Sequence, residues 1–296
     1  MRKITVFGAT GMLGKPVVRE LIDAGFEITA MVRSPEKARR ELPAEVKLVA
    51  GDLHNRADIE SALDAAEGVY LNLSVRAKTK EIDFQPEREG LKTILKAAKS
   101  ADIRRIAYCS SLVHRYQGTN NFHWWVFEIK KQAVEMIEAS GVPYTCFYPS
   151  SFMENFDKGD YRQGNKMMLA GESKHRMWII AGSDYGKQVA KAFQISEAEN
   201  RDYDVQGLEA FTADEAVKVF SDNCGREKLT ISKAPLLLLK IAGLFNQKMN
   251  YGAKILDALN NYPEKFAADA TWAELGKPTV TLTEYARNSS ETEEKK

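Results

Sequence analysis

Six short apolar runs, at residues 4–7, 28–32, 46–49, 69–73, 105–109 and 144–148, constrain this chain more than any other feature. Between them, apolar residues recur at helical spacing. Val17, Val18, Leu21 and Ile22 form one such face, Ile59, Ala62 and Leu63 another, and Leu91, Ile94, Leu95 and Ala98 a third. A longer helix is predicted from about residue 124 to 140, ahead of the sixth run. Continuous apolar runs suit strands covered on both faces. Parallel neighbours need crossovers of helical length, so this alternation predicts the α/β class with a doubly wound parallel sheet.

Past Pro149 the rhythm fails. Residues 177–180 and 203–205 read as short strands, and helices are predicted near 212–224, 235–245 and 251–260. At 296 residues the chain is about twice a typical domain. The expected division is a dinucleotide-binding domain at 1–152 and a smaller α+β substrate lobe at 153–287, free to return a strand to the first sheet. The polar residues 288–296 are expected to form a disordered tail. Lys plus Arg number 42 against 41 Asp plus Glu, a net +1 that provides no global field for nucleic acid or an acidic membrane. Cys109, Cys146 and Cys224 are widely spaced and suggest neither a disulfide framework nor a zinc cluster. The apolar stretch from 235 to 245 is broken by Lys240 and too short for a bilayer span. A soluble cytoplasmic protein is expected, monomeric or homodimeric, with no metal, no nucleic-acid partner and no membrane segment.

Gly8-Ala9-Thr10-Gly11-Met12-Leu13-Gly14 joins the first strand to the first helix. In that context Gly8 permits the tight turn, Gly11 lets a pyrophosphate approach the backbone, and Gly14 allows close helix–strand packing. The helix N-terminus adds free N–H groups and a partial positive charge. The pattern is that of a Rossmann-like dinucleotide site, with Thr10, Met12 and Leu13 completing the phosphate loop. An NAD-preferring site carries a carboxylate after the second strand, whereas this chain has Arg33, Ser34 and Lys37 there. Arg33 and Lys37 are suited to the 2′-phosphate of NADP, so NADP(H) is the expected cofactor. Asp52 and Leu53, after the third strand, are placed to meet the adenine, or Asp52 merely caps the following turn.

With VFGATGMLG, MVRSPEKA, GDL, YCSSL and SGVPYTCFYPSSFMEN in this order, the chain resembles the NmrA-like branch of the atypical short-chain dehydrogenases. SDYGKQVAKAF and WAELGKPTVTLTEYA are similar to that branch's carboxyl lobe. The resemblance implies an NADP-binding sheet with a variable substrate lobe. It also implies cofactor contacts at Leu73, Ser110, Tyr148, Pro149, Ser150 and Phe152, the last three flanking the nicotinamide. Dehydrogenases of this superfamily place a Tyr four residues before a Lys on the helix after strand five, aided by a Ser. Here Lys131, followed by Glu135, matches the lysine, Ser110 or Ser111 the serine, and Phe127 occupies the tyrosine's place. Phenylalanine has no proton to give, so the usual alcohol–ketone mechanism is not expected. Substitute donors are Lys131 itself, His123 one turn before Phe127, and Tyr148.

Two functions are compatible with these residues. One is an NADPH-dependent oxidoreductase acting on a small apolar quinone, enone or carbonyl compound. The other is a non-catalytic NADP(H) redox sensor that binds a protein partner, for which Leu236–Leu239 with Leu244 and Phe245 offer a surface; the same stretch also suits a core face or a pocket cover. Trp124, Trp125, Met167, Met168 and Trp178 are candidates for an apolar pocket, though such residues more often fill cores.

Overall fold

The computed structural model describes residues 1–159, 161–195, 199–225 and 229–289. All six apolar runs form strands: β1 (Lys3–Phe7), β2 (Glu27–Val32), β3 (Lys47–Ala50), β4 (Gly68–Leu71), β5 (Arg105–Cys109) and β6 (Tyr144–Pro149). Between them lie α1 (Gly14–Asp23), α2 (Pro35–Arg39), α3 (Arg56–Ala62), α4 (Leu91–Ser100) and α5 (Trp125–Glu138). The chain then adds β7 (Arg162–Gln163), β8 (Lys166–Ala170), β9 (Met177–Ile179), α6 (Gly182–Ile195), β10 (Arg201–Val205) and β11 (Glu209–Phe211). It finishes with α7 (Ala213–Asn223), β12 (Thr230–Ala234), α8 (Leu236–Gly243), α9 (Gln247–Asn261), α10 (Asp269–Leu275) and α11 (Leu282–Ser289).

The large sheet has seven strands in the order β10-β6-β5-β4-β1-β2-β3, every pair parallel. Winding therefore reverses beside β1, the point at which open α/β sheets bind ligands. Strand pleating sorts the core. Ile4, Val6, Ala107, Cys109 and Phe147 face α1 and α6, whereas Phe7, Ile106, Tyr108, Cys146 and Tyr148 face α3, α4 and α5. Segments after Phe152 return to this sheet: β10 extends its edge beside β6, and α6 lies along α1.

The rest of the lobe is built from small sheets. β9 pairs antiparallel with β11, while β8 pairs antiparallel with β7 and parallel with β12. Met153, Phe156, Met167, Val217 and Phe220 form its core under α7 and α11. β8 and β12 are not evident in the sequence, because each is bought by pairing with the other rather than by an apolar run. α7 follows a capping box in which Thr212 and Glu215 bond each other's backbone N–H groups. The tail begins later than expected: Asn288 and Ser289 close α11, and residues 290–296 lie outside the described residues.

A buried carboxyl joins lobe to sheet. Both Oε atoms of Glu154 accept from the Gly182 N–H at the start of α6, at 2.9 and 3.0 Å. Burial pushes this carboxyl up to about 7, with the Gly182 bonds partly opposing the rise. A raised folded-state value favours the protonated form, so the contribution is complete below about pH 4.5 and is lost as pH rises through about 7. Glu154→Gln is expected to flatten melting temperature against pH between about 5 and 8 and to stabilise the protein at the upper end by up to about 3 kcal/mol. Thermal melts across that range test this; parallel curves for the two proteins refute it.

Candidate functional site

Two glycines set the geometry at the switch point. Gly8 has φ +87°, and a Cβ there would lie 2.2 Å from the Asn72 carbonyl oxygen at the end of β4. A Cβ on Gly14 would lie 2.1 Å from the Gly8 carbonyl oxygen, so α1 starts directly against β1. Within this turn the Gly11 N–H donates to Gly8 O at 3.1 Å. Among the described residues, no backbone carbonyl accepts from the Met12 or Leu13 N–H, which leaves both donors at the mouth of α1 available to an anion. Arg33 stands exposed just past β2, and Lys37 is exposed on α2 behind the Ser34 cap. A loop with open N–H donors, flanked by two exposed cations, fits a dinucleotide carrying an extra phosphate.

A cavity of about 780 Å³ opens along the carboxyl ends of β4, β5 and β6 and runs under α8 and α9. Leu13, Leu73, Ser110, Pro149, Ser150 and Phe152 line it, as do Ser111 and Asn72. Gly8, Thr10, Gly11, Met12, Arg33, Asp52 and Leu53 are not among the lining residues and lie at or just past the ends of β1, β2 and β3, with Lys37 in α2. Asp52 is committed to local structure: its Oδ1 accepts from the His54 ring and, at 3.0 Å, from the His54 N–H, and these bonds hold the carboxyl below its ordinary range. Leu53 packs on the core facing α3 and α4. Ser150 Oγ donates to Glu264 at 2.8 Å, and Glu264, raised by burial, also accepts from Gln206 Nε2 at 2.7 Å. That carboxyl forms part of the cavity wall.

Lys131 does not enter the cavity. Its side chain is 57% exposed and pairs loosely with Glu135 at 3.8 Å, on the solvent face of α5. Lys130 takes the inward position instead, because Val126, Lys130, Ala133, Val134 and Ile137 follow the buried face of the helix. Lys130 Nζ donates to Glu87 Oε1 at 2.7 Å, and the Tyr108 hydroxyl donates to the same oxygen at 2.7 Å. Glu87 is fully buried, carried inward by a π-helical turn over Pro86–Gly90 that runs into α4. Burial depresses the Lys130 ammonium, but the charge and hydrogen bond of Glu87 more than reverse this, so it stays charged well above neutral pH.

With Lys130 in the lysine's place, Val126 rather than Phe127 stands four residues before it. Phe127 is buried among Phe122 and Trp124, at ring distances of 5.7 and 5.0 Å. The helix therefore offers no phenol under either alignment. His123 is exposed outside the cavity wall, its carbonyl accepting from Lys254 at 3.3 Å. Tyr148 faces the other way: its hydroxyl donates to Asp202 at 3.2 Å and Arg115 covers its ring at 4.6 Å. Ser110 Oγ lies 3.4 Å from His114 Nδ1, and burial lowers that imidazole to about 4, so it is neutral. Ser111 Oγ, by contrast, is buried at the cavity wall without a hydrogen-bond partner among the described residues. Trp124 and Met168 are wall residues, and Met167 is core. Tyr251 of α9 meets Trp124 edge-on at 4.9 Å, lines the cavity, and acts electrostatically on Lys130.

No cluster of three or more His, Cys, Asp or Glu side chains able to hold a metal occurs among the described residues. Nor, among them, is any helix long and apolar enough to cross a membrane.

Known proteins resemble the chain in sequence and fold. The chain is 25% identical to the NAD(P)H azoreductase of Xenophilus azovorans over 295 residues, covering 96% of each. It is 25% identical to the Photosystem II assembly factor Ycf39 of Guillardia theta, covering 92% of this chain and 88% of the relative. The NADPH complex of the quinone oxidoreductase QOR2 from Escherichia coli superposes with a TM-score of 0.74 at 21% identity, over 96% of this chain and 99% of that one, a likeness of fold. The NmrA-like family matches residues 1–286, all of the strands and the first five of the eight residues of the last helix, and the chain belongs to that family.

Proposed function

We propose that the chain is an NADPH-dependent reductase of a flat apolar acceptor, a quinone, enone, azo or carbonyl compound. The observation that carries this reading is Lys130, a charged side chain held by Glu87 in a largely apolar cavity at the carboxyl ends of β5 and β6. When bound, NADPH would supply a hydride from its nicotinamide ring. The Met12 and Leu13 N–H groups hold the pyrophosphate, Arg33 and Lys37 the 2′-phosphate, and Ser111 Oγ a ribose or amide group that satisfies it. Lys130 sets positive charge where the acceptor's oxygen or nitrogen gains negative charge, in surroundings that weaken screening. Tyr251, which lines the cavity with Tyr161 and Tyr262 and acts electrostatically on Lys130, is the phenol we assign to deliver a proton. Acceptors that are already electron-poor need little acid help, which accords with Val126 at the usual phenol position.

Oxidation of NADPH across a panel of quinones, enones, azo dyes and aldehydes tests the reading. Arg33→Ala is expected to weaken NADPH about 10- to 100-fold and leave NADH unchanged, as for loss of one charge-assisted hydrogen-bonded contact. Calorimetry with both nucleotides measures this, and an unaltered preference would remove Arg33 from the site. A second reading, a cofactor-bound factor without turnover, is favoured by the missing phenol and by kinship with the Ycf39 assembly factors. Tight NADPH binding with no acceptor reduced anywhere in the panel would select it.

A further inference from the structure

Two backbone N–H groups set the polarity of a hydrogen-bonded chain that ends at the cavity. Gln206, just past β10, is fully buried, and its side-chain oxygen accepts from the Ala267 N–H at 2.7 Å. A backbone N–H can only donate, so this bond fixes the orientation of the Gln206 amide. Its Nε2 then donates to Lys265 O at 2.9 Å and to Glu264 Oε1 at 2.7 Å. The Trp178 N–H of β9 donates to the same Oε1 at 3.3 Å. Oε1 therefore carries no proton, and Oε2 is left to face Ser150, whose Oγ donates to it at 2.8 Å. Burial raises the Glu264 carboxyl, and these three bonds work against the rise. Two donors at one oxygen and a hydroxyl at the other suit the carboxylate, which only accepts.

Ser150 receives this polarity. Its single side-chain hydrogen is committed to Glu264, and its backbone N–H to Val205 O at 2.9 Å, so it sits on fixed backbone at the end of β6. It lines the cavity with Pro149 and Phe152. Among the described residues no group donates to its Oγ, so what Ser150 offers the cavity is a lone pair, an acceptor for a ligand N–H or O–H. We propose that Glu264, held by Gln206, is a positioning residue that fixes the Ser150 hydroxyl as an acceptor for the carboxamide N–H of the cofactor's nicotinamide. The proposal rests on the NADPH reading given above, in which the end of β6 flanks that ring. Holding the carboxamide limits rotation of the ring, so that one face is offered to the acceptor. The groups involved come from β9, from the residue after β10 and from the loop between α9 and α10. Through them the lobe, rather than the sheet alone, sets how the nicotinamide sits.

Calorimetric titration of the full chain tests it without turnover, using NADP, its acetylpyridine analogue and adenosine 2′,5′-bisphosphate. The analogue keeps a carbonyl on the ring and has no N–H to give, and the bisphosphate has no nicotinamide. The native chain is expected to bind NADP about 5- to 10-fold more tightly than the analogue, the worth of one hydrogen bond. In Glu264→Gln the new amide must keep its oxygen where Oε1 stood, to accept from Gln206 and Trp178, so its NH2 faces Ser150 and the hydroxyl hydrogen turns into the cavity. Either ligand can offer a carbonyl to that hydrogen, and the preference should fall to within about twofold. Ser150→Ala should remove the preference as well. The bisphosphate should bind native chain and variants alike, which a general loosening of the fold would not allow. A preference kept in either variant, or missing from a native chain that binds NADP, overturns the proposal. So does bisphosphate binding that is lost in parallel with the preference. A native chain that binds neither NADP nor the bisphosphate removes the cofactor reading, and the proposal with it.

Discussion

Lys130→Met is expected to lower kcat/KM for NADPH-dependent quinone reduction by about 10²–10³-fold, while Lys131→Met leaves it within about twofold. Adjacent lysines on one helix differ by roughly 100° in direction, and that angle separates the cavity from solvent. Lys130 is charged because Glu87 accepts from it at 2.7 Å, and a fixed ammonium beside the acceptor needs no rearrangement as charge develops. Lys131 sits 57% exposed with Glu135, an i, i+4 surface pair of small effect. Because Lys130→Met strands the Glu87 carboxylate, the same change is also measured on Glu87→Gln, where the loss of rate should persist with the fold intact. Steady-state kinetics with NADPH and a quinone decide the matter. A larger loss at Lys131, or equal losses at both, would sink the assignment.

The positions of these two lysines show what the sequence carries and where it stops. β1 to β6 were legible because strands covered on both faces read as unbroken apolar runs, and the glycine loop because its turn requires residues without a Cβ. Periodicity along α5 also held the answer for Lys130: Val126, Ala133 and Ile137 share its face, whereas Glu128 and Glu135 lie with Lys131. The Lys–Glu interval points one residue further along the helix, to Lys131 on the solvent face. Glu87 had no such signal. It lies in a charged stretch, Glu87-Arg88-Glu89, that reads as solvated, and its partner is 43 residues away across a crossover. Tyr251 was equally hidden, because its place in the cavity wall depends on how α9 folds back over the sheet. The exposed leucines of α8 were visible as an apolar run, but only the fold shows that none of them is buried by another element among the described residues.

The buried pair itself predicts the largest stability effect. Glu87→Ala removes the acceptor of both Lys130 and Tyr108, leaving a desolvated ammonium and a hydroxyl unpartnered in the core. A cost of about 3–5 kcal/mol is expected for breaking a buried pair from one side. Lys130→Met should cost a similar amount by the opposite route, through a carboxylate that has lost its cation while keeping the Tyr108 bond. The two removals are not additive, since each penalty is the charge that the other partner leaves behind. Glu87→Gln with Lys130→Met keeps an acceptor for Tyr108 and buries no charge, so it should recover most of the stability despite two changes in the core. Urea unfolding of the native chain, Glu87→Gln, Lys130→Met and the double variant, the four corners of one cycle, measures the coupling. Additive losses would mean that Glu87 and Lys130 are solvated independently in solution, and the cavity would then lack the fixed cation on which the proposed chemistry depends.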